Sequence, residues 1–213
     1  MATVWTEIEG DTLRLSAPDA GEVSLPMQPL EGEAMTVQVW QSTVAAIAPS
    51  PAIDQWLTEY LGTDCRLVYM PESTRRATNA TYGGPGNIVS FADGYPFLLT
   101  NEGSLAGLNE RLAQPIPMNR FRPNVVVSGA PAFAEDDWSD LAIGGVAFRI
   151  VKPCGRCQVT TTDQATGEVT GPEPLATLSA FRESAEFGAR FGMNMVPLAE
   201  GRVRLGDRVE TLG

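Results

Sequence analysis

Between residues 1 and 47, polar and apolar positions alternate in short runs, and each run ends at a turn residue. Thr12–Ser16 and Val37–Trp40 read this way, with Pro18, Asp19, Gly21, Pro26 and Gly32 between and around them. A period of two turns one strand face to a core and the other to water. This stretch therefore predicts short antiparallel strands joined by turns. Further strand patterns follow at Leu67–Met70, Asn119–Ser128 and Val146–Val151. Gln158–Thr162 and Glu168–Thr170 predict a hairpin around Ala165-Thr166-Gly167, and Arg202–Thr211 alternates again to close the sheet.

Helical spacing is rarer. Residues 50–62 show it best: Ser50 can cap, Pro51 suits the first turn, and Gly62 suits the stop. Ile53, Trp56, Leu57, Tyr60 and Leu61 line one face. Ser104–Ala113 and Leu175–Phe187 are two more helices. Residues 71–90 are rich in Gly, Pro, Ser and Thr and predict a long loop, either a lid or a surface excursion. Strands outnumber helices, which gives an α+β fold with a β-barrel-like core and peripheral helices.

Composition then removes several functions. The net charge is −11, which disfavours nucleic acid and anionic membranes as partners. The chain has no histidine, so Ser-His-Asp and Cys-His catalysis and His-based metal sites are excluded. Three cysteines, Cys65, Cys154 and Cys157, with an N-terminus lacking a signal-peptide pattern, predict a cytoplasmic protein. No window is apolar enough to predict a membrane span.

Three segments carry residue types suited to chemistry. In a strand over Asn119–Ser128, Arg120, Arg122 and Asn124 would share a face. Two guanidiniums and an amide suit an anion; the alternative is a solvated face pairing with Glu135-Asp136-Asp137. The second segment is Lys152-Pro-Cys154-Gly-Arg156-Cys157-Gln-Val-Thr160-Thr161-Thr-Asp163. A four-ligand zinc site has too few ligands here. A thioredoxin-like pair would open a helix, whereas β-formers follow. One functional thiolate activated by Lys152 and Arg156 remains, beside the reading of two buried structural cysteines. The third is Asp93, ahead of the apolar run Phe97–Leu99, where a plain turn aspartate is the simpler reading.

Taken in order, these residues resemble a known family. The series is Asn119-Arg-Phe-Arg-Pro-Asn124, Glu135-Asp-Asp-Trp138, Lys152-Pro-Cys-Gly-Arg-Cys157, Thr166-Gly-Glu168, Pro174-Leu175, Phe191-Gly-Met-Asn194 and Gly206-Asp207. It is similar to the MOSC domain, which ends molybdenum cofactor sulfurases, and in particular to bacterial relatives of the mitochondrial amidoxime-reducing component. The likeness covers about residues 90–213. Leu13-Arg-Leu-Ser-Ala-Pro18, Val39-Trp40 and Trp56-Leu-x-x-Tyr-Leu-Gly62 resemble the β-barrel domain that precedes MOSC.

The resemblance implies a partial N-terminal β domain over residues 1–70 and a MOSC domain over 71–213. It implies a molybdenum held by a pterin dithiolene cofactor, with Cys157 as the protein ligand. Arg120, Arg122, Asn124, Arg156, Thr160 and Thr161 would hold the cofactor, and Asp93 would orient substrate or relay a proton. The implied reaction reduces a small N-hydroxylated substrate by removing its oxygen, with electrons from a separate donor protein. With three cysteines the chain would carry no iron–sulfur cluster. The alternative is a non-catalytic cofactor carrier or sulfur-transfer module, in which Cys157 or Cys154 holds sulfur. The family's earlier Pro-Val-Lys-Ser-type signature and a further arginine are missing here, which implies a chain that opens late or grips its cofactor less tightly.

Overall fold

A computed structural model describes residues 1–29 and 31–212. They fall into two compact units, Met1–Arg76 with Gln164–Gly167, and Ala77–Asp163 with Glu168 onward.

In the first unit, β1 (Trp5–Glu9), β2 (Thr12–Ala17) and β3 (Gly21–Pro26) form an antiparallel sheet. β4 (Glu33–Val39) and β5 (Ser42–Ala48) form a hairpin. Helix α1 (Pro51–Leu61) follows as its signals demand: Ser50 Oγ accepts from the Ile53 N–H, and Gly62 stops it in the left-handed region at φ 65°. Its buried Ile53 and Leu57 pack with Leu15 and Leu25. The Trp56 indole donates to the Ala20 carbonyl at 2.7 Å. The expected strand at Leu67–Met70 reduces to one bridge, Tyr69 with Ile47. Asp54 takes the Leu67 N–H at 2.9 Å, which removes that residue from any ladder.

The second unit holds α2 (Ala80–Gly83), β6 (Phe97–Asn101), α3 (Glu102–Asn109), β7 (Val125–Val127), β8 (Asp140–Ile143), β9 (Val146–Gly155), α4 (Leu175–Arg182), β10 (Glu183–Ser184), β11 (Gly188–Pro197) and β12 (Val209–Thr211). The sheet runs β12-β8-β9-β11-β6-β7, with β10 on β11. Only β6–β7 is parallel among these pairings. With its helices this is the expected α+β architecture, a nearly closed barrel-like sheet. Two clusters fill it. Leu99, Val127, Leu141, Ile143, Phe148 and Met195 make one, and Leu108, Phe121, Leu178, Ala189 and Phe191 the other. Phe121 stacks on Phe191 with ring centroids 3.9 Å apart.

Several elements differ from the sequence expectation, for local reasons. Helix α3 starts at Glu102, because Asn101 Oδ1 caps the Gly103 N–H at 2.9 Å. It ends by Asn109, whose amide closes a loop by bonding both backbone groups of Ile116. Helix α4 ends at Arg182, where the guanidinium grips Asp136 at 2.7 Å and the chain turns into β10. The helical spacing that includes Phe187 is therefore coincidental. Strand β11 loses its alternation at Phe191–Met193, where successive residues are all buried, and period-two reading passes over it. Of the tail, only Val209–Thr211 pairs with β8; Asp207 takes the Arg204 N–H at 2.7 Å and makes a turn before it. The 71–90 loop holds the short helix α2, capped by Asn79, and a bridge between Ala77 and Ile88.

The pairing of β9 with β11 breaks register at a bulge between Arg190 and Met193. Gly192 sits there at φ 77°, and a Cβ on it would stand 2.6 Å from the Leu99 carbonyl oxygen. Both facts demand glycine. Gly192→Ala should cost about 2 kcal/mol or more, lowering Tm by roughly 4–8 °C for a chain of this size. Calorimetry checks this, and an unchanged Tm would show that the bulge relaxes freely.

Candidate functional site

The segment Met118–Asn124 is not a strand. Met118–Phe121 forms a 3₁₀ turn and Arg122 follows in the left-handed region at φ 53°. Pro123 disfavours right-handed helix at Arg122, and a non-glycine residue held at positive φ stores strain of the kind found at sites. The strand begins only at Val125. The shared strand face expected for Arg120, Arg122 and Asn124 is therefore corrected: each side chain has its own environment.

Arg120 is buried, 5% exposed. Its Nη2 pairs with Asp163 Oδ2 at 3.1 Å and both terminal nitrogens reach Thr170 Oγ1. Its Nε is buried with no acceptor among the described residues. Arg122 is exposed. Asn124 Oδ1 accepts from the Leu98 N–H at 2.8 Å, and its own N–H donates to the Leu98 carbonyl. That fixes Asn124, itself exposed, against the start of β6. The 135–137 run is engaged elsewhere: Glu135 accepts from Ser104 and Asn101, and Asp136 holds Arg182.

The second segment is carried by β9, which runs past the expected Val151 to Gly155. Cys154 thus lies in the strand and is half-buried, while Cys157 lies beyond it and is exposed. Arg156 N–H continues the pairing by donating to the Ala189 carbonyl at 2.7 Å. Its guanidinium then points back. Nη1 donates to Cys154 Sγ at 2.9 Å and Nη2 to the Phe121 carbonyl at 2.8 Å, with the group 5.5 Å from the Phe121 ring centroid. Arg156 Nε, like that of Arg120, is buried without an acceptor among the described residues.

After Cys157 comes a 3₁₀ turn, Gln158–Thr161, in place of the expected strand arm. Thr160 Oγ1 donates to the Cys157 carbonyl at 2.9 Å and Thr161 Oγ1 to the Gln158 carbonyl at 2.8 Å. Such local hydroxyl bonds compete with strand pairing. Thr162 and Val169 bridge across the hairpin, flanked by hydrogen bonds from the Asp163 N–H to the Glu168 carbonyl and from the Thr170 N–H to the Thr161 carbonyl. Both threonines are buried, so their hydroxyls brace the turn that presents Cys157. The Lys152 ammonium lies among the rings of Tyr82, Tyr95 and Phe187. Asp93 is exposed in the irregular stretch before β6, where a turn aspartate was the simpler expectation.

The structure thus ties the 118–124 turn to the Cys154–Cys157 segment through Arg156 and to Asp163 and Thr170 through Arg120. Thr170, Tyr82 and Phe187 escape sequence reasoning, since nothing local marks them; Tyr95 was readable only as a neighbour of Asp93. Among the described residues no three His, Cys, Asp or Glu side chains could together hold a metal ion. No helix of the described residues is long and apolar enough to cross a membrane. A cleft of about 800 Å³ in the first unit, at Asp54, Thr58 and Cys65, contains none of the candidate residues.

An exposed cysteine that follows a strand of a barrel-like sheet, together with buried Nε groups on Arg120 and Arg156, belongs to an α+β fold. The chain belongs to the MOSC family: the MOSC domain matches residues 87–210, and the MOSC N-terminal beta barrel domain matches residues 1–64. It is 35% identical to human mitochondrial amidoxime-reducing component 1, over 96% of this chain and 64% of that protein. It is 34% identical to the mouse protein of the same name, over 96% and 64%. Bovine mitochondrial amidoxime reducing component 2 is 32% identical, over 94% and 63%. The chain spans a little under two thirds of the length of these relatives.

Arg120→Met should remove the ion pair between Arg120 and Asp163. Because Asp163 is about one third exposed, the loss should be about 2 kcal/mol, below that of a fully buried pair. Urea unfolding reads this directly; a wild-type midpoint would mean that Arg120 contributes nothing to the apo fold.

Proposed function

We propose that this MOSC protein binds a molybdenum cofactor through Cys157 and reduces N-hydroxylated compounds. The observation that carries the reading is the pairing of an exposed cysteine with two buried guanidinium N–H groups that lack acceptors, on Arg120 and Arg156. Buried donors without partners are rare and costly unless a ligand meets them. That donor set fits an anionic metal complex that brings most of its own ligands, and a thiolate is a suitable soft ligand for it. The names of the similar amidoxime-reducing components support the choice of reaction.

Cys157 is the better ligand of the pair, because Cys154 Sγ already accepts from Arg156. Arg120, Arg122 and Arg156 would neutralise the cofactor's negative charge, and Asn124 would donate its amide N–H₂. Thr160 and Thr161 act by bracing the turn that carries Cys157. When bound, the cofactor supplies a two-electron reduction of the substrate's N–O bond. Asp93 relays the proton that the departing oxygen takes up; two electrons and two protons convert the N-hydroxyl compound to its reduced form and water. The electrons come from a separate donor protein.

Protein made in a host that synthesises the cofactor should contain nearly one molybdenum per chain, measured by elemental analysis. Cys157→Ser should abolish that content, and Cys154→Ser should reduce it less. Benzamidoxime should turn over with a chemically reduced viologen as donor. Metal-loaded protein without turnover would sink the reductase reading and leave a carrier role. Equal, total loss in both cysteine variants would point to a redox pair.

A further inference from the structure

Lys152 is the only lysine among 213 residues of a chain with net charge −11. It lies on β9 opposite Asn194 of β11 and is half-buried. Its ammonium is 5.2 Å from the Tyr82 ring centroid, 5.4 Å from that of Phe187 and 5.6 Å from that of Tyr95. The ring faces hold the cation in place but accept none of its three N–H bonds in the ordinary way. Among the described residues it has no ion pair and no hydrogen bond to an oxygen. Glu186, the acidic residue beside Phe187, is taken by the Tyr82 hydroxyl.

A second group at the same place is also unmatched. Tyr95 is 7% exposed, and its hydroxyl has no partner among the described residues. Burial pushes its phenol upward, so the hydroxyl remains a donor at neutral pH. One cation and one neutral donor, both without acceptors and walled by aromatic rings, call for an acceptor that carries negative charge and a flat apolar body. Chain position ties this cage to the candidate site. Lys152 stands five residues before Cys157 on the same strand-to-turn segment, and Tyr95 stands two residues after Asp93.

We propose that Lys152 and Tyr95, within the cage closed by Tyr82 and Phe187, form a binding subsite for an aromatic carboxylate. The subsite favours N-hydroxylated substrates that carry such a group. The substrate preference rests on the reductase reading above; the binding does not.

A single lysine makes the test direct. Protein labelled with ¹³C-lysine gives one side-chain lysine signal, that of Lys152. Titration with benzoate should shift it saturably, and benzamide, the neutral isostere, should not. Tyr95→Phe keeps the ring and removes only the hydroxyl, so it should fold normally and bind benzoate about tenfold more weakly. No saturable shift with benzoate, or an equal shift with benzamide, would overturn the subsite. Inorganic phosphate saturating at the same concentration as benzoate would overturn the aromatic-carboxylate class, since phosphate has no apolar body for the rings. With metal-loaded protein, Lys152→Met should lower the kcat/KM ratio of a carboxyl-bearing benzamidoxime over plain benzamidoxime about tenfold; an unchanged ratio would overturn the preference. Benzoate binding without any benzamidoxime turnover would defeat the reductase reading alone.

Discussion

The pairing of β9 with β11 positions the segment that carries Cys154, Arg156 and Cys157. Both strands are ten residues long and lie inside the sheet, with β11 between β9 and β6. Residues of β11 enter both apolar clusters, Met195 on one side and Ala189 and Phe191 on the other. A strand buried in this way cannot slip register without exposing its core residues. Its bulge at Gly192 then decides where β9 stops being a regular strand. The last link, from the Arg156 N–H to the Ala189 carbonyl, comes after the bulge, and the next residue is Cys157. The position of that exposed sulfur is a consequence of strand pairing several residues away.

Arginine use within the second unit separates support from site. Arg182 and Arg120 are both buried and both meet an aspartate. Arg182 reaches Asp136 through Nη2 and the Arg190 carbonyl through Nε, and it lies 4.1 Å from the Phe133 ring centroid. Its Nε and Nη2 are matched by the protein, as expected of a structural guanidinium. Arg120 and Arg156 each retain a buried Nε without an acceptor among the described residues. In a chain with 26 acidic residues against 15 basic ones, acceptors are plentiful. These two Nε groups lie in segments joined by the Arg156–Phe121 bond, and the proposed cofactor reading rests on them.

The elements that the sequence made legible are those whose signals are local. Ser50, Pro51 and Gly62 bracket α1 at its observed limits because capping depends on a few adjacent residues. Strands β2 to β5 of the first unit follow from alternation because more and less exposed residues alternate along them, whereas β1 is exposed throughout. The misread elements depend on distant partners. Strand β11 is buried in succession at Phe191–Met193, so its period breaks in the middle. The turn at Met118–Phe121 runs toward the strand formers Val125–Val127 and so reads as their extension, yet Arg120 finds Asp163 and Phe121 finds Phe191 only once the chain has folded. For the candidate site, residue identities were readable and their arrangement was not. The two arginines of one motif were expected side by side, and one is buried while the other is exposed.

The same contrast explains why a pair of cysteines two residues apart does not behave as a pair. Cys154 belongs to the sheet. Its sulfur accepts from a guanidinium that also holds the Phe121 carbonyl, so it helps lock the 118–121 turn to β9. Cys157 belongs to the turn. Its carbonyl is held by Thr160 while its side chain stays exposed and has no hydrogen bond among the described residues. A disulfide between them would take the sulfur of Cys154 away from Arg156 and loosen the joint that positions Cys157. The division of labour therefore favours one anchoring sulfur and one presenting sulfur, and it makes the anchor a condition for the other's geometry.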